Sequence, residues 1–238
     1  MKAIKELCTN QPAPTTRSVK CKLGVAAFLV LATVSGMAET RYVNVNSPTP
    51  VAPFLTWKTA ATNIQDAVDA ASAGDEVVVT NGVYQLGGEE WRATTPSPDY
   101  RLTRVVVTNA ITLRSVNGPT VTFIQGEGED NPYHIFYGTT ELIRCVYLAH
   151  DARLIGFTLT NGWSDLGGGV YCESTNSAVS NCIIAGNHAY RMCSGDCLPG
   201  PMGGGVYGGT LKNSTLVGNS AFPTVIAEID NGLYFLTA

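Results

Sequence analysis

One phrase occurs twice between residues 167 and 221, and it limits the folds open to this chain more than any other feature. Each copy begins with Gly-Gly-Gly-Val-Tyr, at residues 167–171 and 203–207. Each continues with two asparagines that enclose five residues, at 181–187 and 213–219. A repeat of this length, made of short β-prone pieces, is typical of architectures in which each unit covers its neighbour. The sequence therefore predicts a stack of repeated coils in this region.

Asparagines at matching places set the length of the repeat. Asn161, Asn187 and Asn219 follow one another at intervals of 26 and 32 residues. A coil of a parallel β-helix takes roughly 20 to 30 residues, and loops on one side accommodate extra length. Asparagine tolerates left-handed turns, and its amide can bond to the next copy. We therefore expect the three to form a structural ladder, with a ligand role as the alternative.

One helix is predicted ahead of the strands, over residues 63–72. Thr62 is placed to cap it, Gln65 stands where a capping box requires it, and Gly74 is placed to end it. Its apolar face consists of Ile64, Ala67, Val68 and Ala71. Beyond it, strands of three to six residues alternate with Gly, Asn and Asp, and no later helix is long enough for a βαβ crossover. The predicted fold class is all-β: a right-handed parallel β-helix (solenoid) with a short N-terminal capping helix.

Three apolar residues occupy similar places relative to the asparagines. They are Phe157, Ile183 and Leu216. We expect all three to point inward and to stack coil on coil, each contributing roughly 1.5–3 kcal/mol through burial.

Residues 1–38 have the features of a signal peptide. A basic start precedes an apolar run over residues 23–38, which closes on the small residues of Gly36-Met37-Ala38. A membrane anchor is the alternative, but sixteen residues fall short of the about 20 that a span needs. The segment predicts a protein that is secreted or displayed at the cell surface or outer membrane. No transmembrane span is expected after signal removal.

The rest of the chain is predicted to form a single β-helix domain over residues 39–238. An N-terminal cap occupies residues 39–75 and the coils occupy 76–221. Residues 222–238 show no C-terminal cap, so we expect a truncated or incomplete C-terminal end, with a sheet edge left exposed.

Charge excludes two classes of partner. Without residues 1–38, 10 Lys+Arg and 18 Asp+Glu remain, a net charge of −8. Nucleic acids and anionic membranes are bound through clustered Lys and Arg. Neither is therefore expected as a partner.

Two stretches resemble a known family. Residues 57–84, with Thr-Asn-Ile-Gln-Asp-Ala-Val-Asp-Ala-Ala and Ala-Gly-Asp-Glu-Val-Val-Val, resemble the N-terminal cap and first coil of pectin-lyase-like right-handed parallel β-helix proteins. Residues 104–126 are similar to their next coil. The Gly-Gly-Gly-Val-Tyr and Gly-Asn-Ser-Ala phrases resemble repeats of bacterial polymorphic outer-membrane proteins and related surface β-helices. The resemblance implies the fold but selects no activity, because this scaffold carries lyases, hydrolases and adhesins.

The catalytic motifs of the family's enzymes are missing. Polygalacturonase-like members carry Asn-Thr-Asp, Asp-Asp, Gly-His-Gly and Arg-Ile-Lys, and pectate-lyase-like members carry Arg-x-Pro-x-x-Arg, none of which occurs here. The leading prediction is an exported β-helix protein with a structural or binding role, contacting a polysaccharide or a surface protein. The alternatives are a polysaccharide lyase or glycoside hydrolase, and a non-functional fragment of a longer surface protein.

Two clusters of polar residues are the candidates for chemistry. His150, Asp151 and Arg153 could supply a base and a cation for a uronate substrate, or could form a solvated turn. Glu127, Glu129 and Asp130 could bind calcium, since carboxylates are its usual ligands, and no other cofactor is predicted.

Cysteines and aromatic residues leave further alternatives open. Cys193 and Cys197 could form a disulfide in an exported chain. Cys145 and Cys172 predict either a buried column of small side chains or a disulfide. Four aromatic residues could form a sugar-stacking strip or serve as packing: Trp91, Tyr133, Tyr137 and Trp163.

Overall fold

The computed structural model describes residues 37–90, 102–128, 142–193, 200–229 and 232–237, all within the unit Met37–Ala238. Side chains are described in these ranges except at 89–90, 191–193 and from residue 223 onward. The predicted signal peptide lies outside the described residues apart from its last two.

The N-terminal part closes one end of the molecule. It consists of strand β1 (Thr40–Val43), a 3-10 helix (Trp57–Thr59) and helix α1 (Ile64–Asp69). Ile64, Ala67 and Val68 of α1 are buried, as the apolar spacing predicts. They join the same hydrophobic cluster as the strands of the first coils, so α1 covers the interior at this end.

The two ends of α1 differ from the prediction. Asn63, not Thr62, caps the helix: its Oδ1 accepts the backbone N–H of Asp66 at 2.8 Å. Gln65 forms no capping box, because its side chain bonds to a strand instead. The helix ends at Asp69 rather than at residue 72, and Gly74, with φ 94°, turns the chain toward the first coil.

The remaining strands come in successive coils. The first coil holds β2 (Glu76–Val79), β3 (Gly82–Tyr84), β4 (Glu89–Glu90) and β5 (Leu102–Val107). The second holds β6 (Thr112–Ser115), β7 (Thr122–Gln125) and β8 (Ile143–Leu148). The third holds β9 (Arg153–Ile155), β10 (Thr158–Thr160), β11 (Trp163–Ser164) and β12 (Val170–Cys172). The fourth holds β13 (Ala178–Ser180), β14 (Ile183–Ala185), β15 (His188–Cys193) and β16 (Val206–Tyr207). The last group is β17 (Thr210–Lys212), β18 (Thr215–Val217), β19 (Ser220–Ile229) and β20 (Gly232–Thr237).

Strands at the same place in successive coils pair in parallel, which makes the stack a parallel β-helix. Sheet A runs β1-β2-β6-β9-β13-β17 and sheet B runs β3-β7-β10-β14-β18. Sheet C runs β4-β5-β8-β12-β16, and sheet D runs β11-β15-β19-β20. Only β4 with β5 and β19 with β20 pair antiparallel among the described strands. The predicted fold class is confirmed.

Extra residues fall on one side of the stack. Successive partners in sheet A are Glu76, Thr112, Arg153, Ala178 and Thr210, so the coils take 36, 41, 25 and 32 residues. Connections from sheet A to B and from C to A span six residues or fewer. The longest connections of the second, third and fourth coils lie between sheets B and C, where sheet D also lies, and residues 91–101 of the first coil connect β4 to β5 at the start of sheet C. We call this side the connection face.

Apolar columns fill the interior, with one correction to the predicted set. Ile184, not Ile183, points inward from β14: it is fully buried and aligns with Leu159 and Leu216. Neighbouring residues of a strand point to opposite faces. Because β14 has isoleucine at both 183 and 184, the sequence alone does not show which of the two points inward. Phe157 is fully buried as predicted, but the register places it beside Cys182 rather than in the Leu216 column. Leu216 is 47% exposed, because no described coil covers it.

Candidate functional site

A cavity of about 260 Å³ opens beside α1, at the first coil of the connection face. Its walls come from segments far apart in sequence: Val45, residues 62–66, Asp69, residues 83–88, and Arg104 with Val105. The cap and the first coil therefore build it together. Concave sites with a few placed polar groups are typical ligand sites, and binding surfaces of solenoids often lie where the insertions lie.

Helix α1 supplies pairs of amide and carboxylate side chains. Asn63 Nδ2 donates to Asp66 Oδ2 at 2.8 Å, and Gln65 Nε2 donates to Asp69 Oδ1 at 2.7 Å. Each pair fixes one carboxylate oxygen. The other oxygen of each carboxylate accepts no hydrogen bond from a described residue, and both aspartates are exposed. These oxygens are available to a ligand that donates hydrogen bonds.

Gln65 also holds the helix in place. Its Oε1 accepts the backbone N–H of Val106 at 2.7 Å, and its Nε2 donates to the Val106 carbonyl at 3.1 Å. The amide thus occupies the position that a neighbouring strand would take beside β5. Because one side chain both anchors α1 and positions Asp69, this wall of the cavity is preorganised.

Arg104 is the basic residue of the cavity lining, and its charge is already balanced. Its side chain is 4% exposed, Nε donates to the Gln125 carbonyl at 2.9 Å, and Nη2 lies 3.4 Å from Glu127 Oε2. Asp66 and Asp69 therefore leave the cavity with a negative balance.

The remaining wall is apolar. Val83 and Leu86 are exposed on it, while Tyr84 is buried and its hydroxyl donates to the Thr80 carbonyl at 3.2 Å. Burial raises the pKa of Tyr84 above its ordinary value, against the effect of its hydrogen bonds, so the hydroxyl remains a donor at neutral pH. A ligand here would meet apolar surface on one side and acceptor oxygens on the other.

The residues predicted for catalysis lie elsewhere. His150, Asp151 and Arg153 are exposed at the turn from β8 to β9, where sheet C leads into sheet A, and Asp151 adopts φ 62°. No described residue forms a hydrogen bond or ion pair with their side chains. The structure therefore gives this cluster no partner within the described ranges, and it lies on a different side from the cavity.

The calcium candidates are only partly described. Glu127 is exposed and faces Arg104, while Glu129 and Asp130 lie outside the described residues. Within the described ranges, no three His, Cys, Asp or Glu side chains are grouped so as to hold a metal ion. Cys193 is the last residue of β15, and Cys197 also lies outside the described part of the chain.

The asparagine ladder contains two of its three predicted members. Asn187 and Asn219 bond to each other, but Asn161 stands one residue before the matching position, which Gly162 occupies. Asn161 instead shares a left-handed corner with Gly186 and Gly218, at φ 54°, 61° and 62°. The Asn161 prediction is therefore wrong by one residue, since this left-handed corner, which favours Gly, also tolerates Asn.

Sequence reasoning overlooked a buried arginine and two aromatic stacks. Arg144 is 2% exposed; it donates to Ser164 Oγ at 2.5 Å and to Thr103 Oγ1 at 3.0 Å, and lies 5.3 Å from the Tyr171 ring centroid. Tyr147, Tyr171 and Tyr207 stack at 5.6 and 5.2 Å, and Trp163 packs on His188 at 4.3 Å. Stacked rings occupy each other's faces, so these columns hold coils together. The signal was available in the aligned Val-Tyr pairs of the repeat.

Of the aromatic residues proposed as a sugar-stacking strip, Trp163 is buried, and Trp91, Tyr133 and Tyr137 lie outside the described residues. As for membranes, none of the described helices has the length and apolar character needed to cross a bilayer.

Comparisons with known proteins add little. No model of a known protein family matches the chain, and no curated protein matches its sequence. Among solved structures, the chain is similar to a rhamnogalacturonan lyase, with 12% identity and a TM-score of 0.41. The match covers 75% of this chain and 51% of that protein, so the chain spans about half its length. A likeness this distant has no bearing on activity.

Proposed function

We propose that the protein is an exported binding protein whose parallel β-helix presents the cavity beside α1 to a neutral oligosaccharide. The observation that carries this proposal is the pairing of amides with carboxylates, Asn63 with Asp66 and Gln65 with Asp69, on one wall of the cavity. Sugar hydroxyls donate hydrogen bonds, and oriented carboxylate oxygens are strong acceptors for them.

Charge favours a neutral sugar over an acidic one. A uronate carboxylate in the cavity would meet Asp66 and Asp69, while Arg104 is already engaged by Glu127. Like charges at close range are unfavourable. The same balance argues against the alternative of a polyuronate lyase at this site, since such a reaction needs a cation for the substrate carboxylate.

A calorimetric titration tests the proposal. Purified protein is titrated with neutral oligosaccharides and with uronate oligosaccharides of equal length. We expect neutral ligands to bind, and Asp69→Ala to weaken them by about tenfold or more, the value of a lost hydrogen bond to a charged group. Asp69 is exposed at the end of α1, so this change should leave the fold intact.

Glu173→Ala is the matched control, because Glu173 is also an exposed acid but follows β12, away from the cavity. Equal affinity in Asp69→Ala and wild type, or preference for uronates, contradicts the proposal. Shortening of any polysaccharide in the same samples would replace the binding role with an enzymatic one.

A further inference from the structure

The two ends of the described stack differ in how their strand edges are covered. At the N-terminal end, Gln65 bonds to Val106, and the backbone of Tyr42 in β1 bonds to Phe54 and Ala61. At the other end, β16, β17 and β18 are the outermost strands of sheets C, A and B, and no described strand pairs with their outer edges. We call these three strands, with Asn219 and Phe222, the open end.

The columns of buried apolar side chains end in exposed residues at the open end. In sheet A, Val179 is 1% exposed and its next partner Leu211 is 41% exposed. In sheet B, Ile184 is fully buried and its next partner Leu216 is 47% exposed. Both leucines occupy positions whose counterparts in every earlier coil are buried. They are exposed because no described coil packs on them.

The asparagine ladder also ends at the open end. Gly162 N–H donates to Asn187 Oδ1 at 2.8 Å, and Asn187 N–H donates to Asn219 Oδ1 at 3.0 Å. By the same rule, Asn219 N–H should donate to an amide oxygen of a following coil. No described residue accepts it.

Aromatic columns end there too. Tyr207 is the last ring of the Tyr147-Tyr171-Tyr207 stack, and Phe222, 42% exposed, follows His188 at 6.4 Å. Lys212 is the one charged residue in β16, β17 and β18, whereas natural proteins commonly protect exposed edges with several charges.

We propose that the open end binds a further β-coil with the chemistry of this repeat. Such a coil has short parallel strands with Val-Tyr to continue sheet C, inward Leu or Ile to cover Leu211 and Leu216, and an asparagine whose oxygen accepts the Asn219 N–H. Addition of a strand to an exposed edge is a general mode of peptide recognition. The proposal is independent of the glycan cavity, which lies beside the opposite end.

A second copy of the protein fits less well. Its own open end would bring another Asn219 N–H donor against the first, and its N-terminal end is covered by α1 and residues 54–61. Only a coil that presents the acceptor side of the repeat satisfies the ladder.

A fluorescent peptide of residues 203–221, which contains one complete phrase, is the probe. We expect it to bind the full chain in an anisotropy titration and to protect the amides of residues 210–219 from hydrogen exchange. Leu216→Asp should weaken binding by about tenfold or more, as charging a central apolar contact does. Val116→Asp is the control, because Val116 is exposed to a similar extent, at 44%, but follows β6 in the second coil, away from the open end and from the cavity.

Substitution of Asn219 by Ala in the peptide should also weaken binding, since the ladder acceptor is lost. The absence of binding up to about 1 mM peptide, or equal binding by Leu216→Asp, overturns the proposal. Concentration-dependent self-association that Leu216→Asp abolishes, without peptide binding, would show that a second copy is the occupant and would overturn it as well.

Discussion

Asn187 donates a hydrogen bond from Nδ2 to Asn219 Oδ1 across 2.9 Å, and the same oxygen accepts the backbone N–H of Asn187 at 3.0 Å. Asn187 in turn fixes the preceding coil, because its Oδ1 accepts the Gly162 N–H at 2.8 Å and its Nδ2 donates to the Leu159 carbonyl at 3.0 Å. One fully buried amide therefore joins three successive coils. Coils of such a stack contact only their neighbours, so the stability of the stack depends on these junctions.

Replacement of Asn187 by Ala should destabilise the protein by about 2–4 kcal/mol, because buried donors and acceptors in two adjacent coils lose their partners. Urea denaturation measures the free energy of unfolding. Asn176→Ala is the control, since Asn176 is exposed in the turn before β13. Equal midpoints for the two variants would show that the ladder contributes no stability.

Phe157→Ala should cost about 3–5 kcal/mol, the usual range for a large buried aromatic residue. Phe157 is fully buried in the central hydrophobic cluster. Phe157→Asp should prevent the coils around it from folding, because it places a charge in that core. Thermal denaturation followed by circular dichroism is the measurement, and a Phe157→Asp melt at the wild-type temperature would contradict the predicted interior.

Individual residues show how much of the fold the sequence predicts. The repeat predicts the coils, and the apolar spacing predicts Ile64, Ala67 and Val68 as buried. The predictions for Asn161 and Ile183 are each wrong by one residue in register. Strands of three residues are too short for the hydrophobic periodicity to show which residue points inward. Only the hydrogen bonds of neighbouring coils decide between adjacent Asn and Gly, or between adjacent isoleucines.

The candidate site could not be predicted in the same way. Its lining combines residues near 45, 62–69, 83–88 and 104, and no local motif links these segments. The pairing of Gln65 with Val106 depends on how α1 packs on β5. The sequence predicts a capping box for Gln65 and no capping role for Asn63, because their hydrogen bonds on the cavity wall exist only in the folded chain.

Asp75 should make the protein sensitive to acid. Burial raises the pKa of its carboxyl, but the N–H groups of Glu39 and Ser72 and the charge of Arg41, at 2.6 Å, outweigh burial and lower it overall. A lowered folded-state pKa stabilises the protein above the unfolded value, about 3.9, and this stabilisation is lost as pH falls through the folded value.

Urea denaturation at a series of pH values between about 2 and 6 measures this effect. Wild type should lose stability below about pH 4 more steeply than Asp75→Asn, which lacks the buried carboxylate. Parallel curves for wild type and Asp75→Asn would contradict the assignment.

The buried thiols should be inert in the folded protein. Burial raises the pKa of Cys145 and Cys172 to about 12 and also raises that of Cys182, and none of the three is in a disulfide. Only the thiolate reacts readily, so alkylation should be slow in the native state and fast in urea. Mass spectrometry after iodoacetamide treatment measures the rate at each cysteine.

The sign of the linked pH effect follows from the raised pKa values. Neutral thiols stabilise the fold below the unfolded value of about 8.5, and this contribution is lost as pH rises above it. Native-state alkylation at the rate of an unfolded peptide would contradict the burial of these cysteines.

The most direct test of the proposed function is a nuclear magnetic resonance titration that identifies the backbone amides perturbed by a neutral oligosaccharide. Our account predicts shifts confined to residues 62–69 and 83–88, with loss of those shifts in Asp69→Ala. Shifts centred on residues 150–153, or none at saturating ligand, would contradict it.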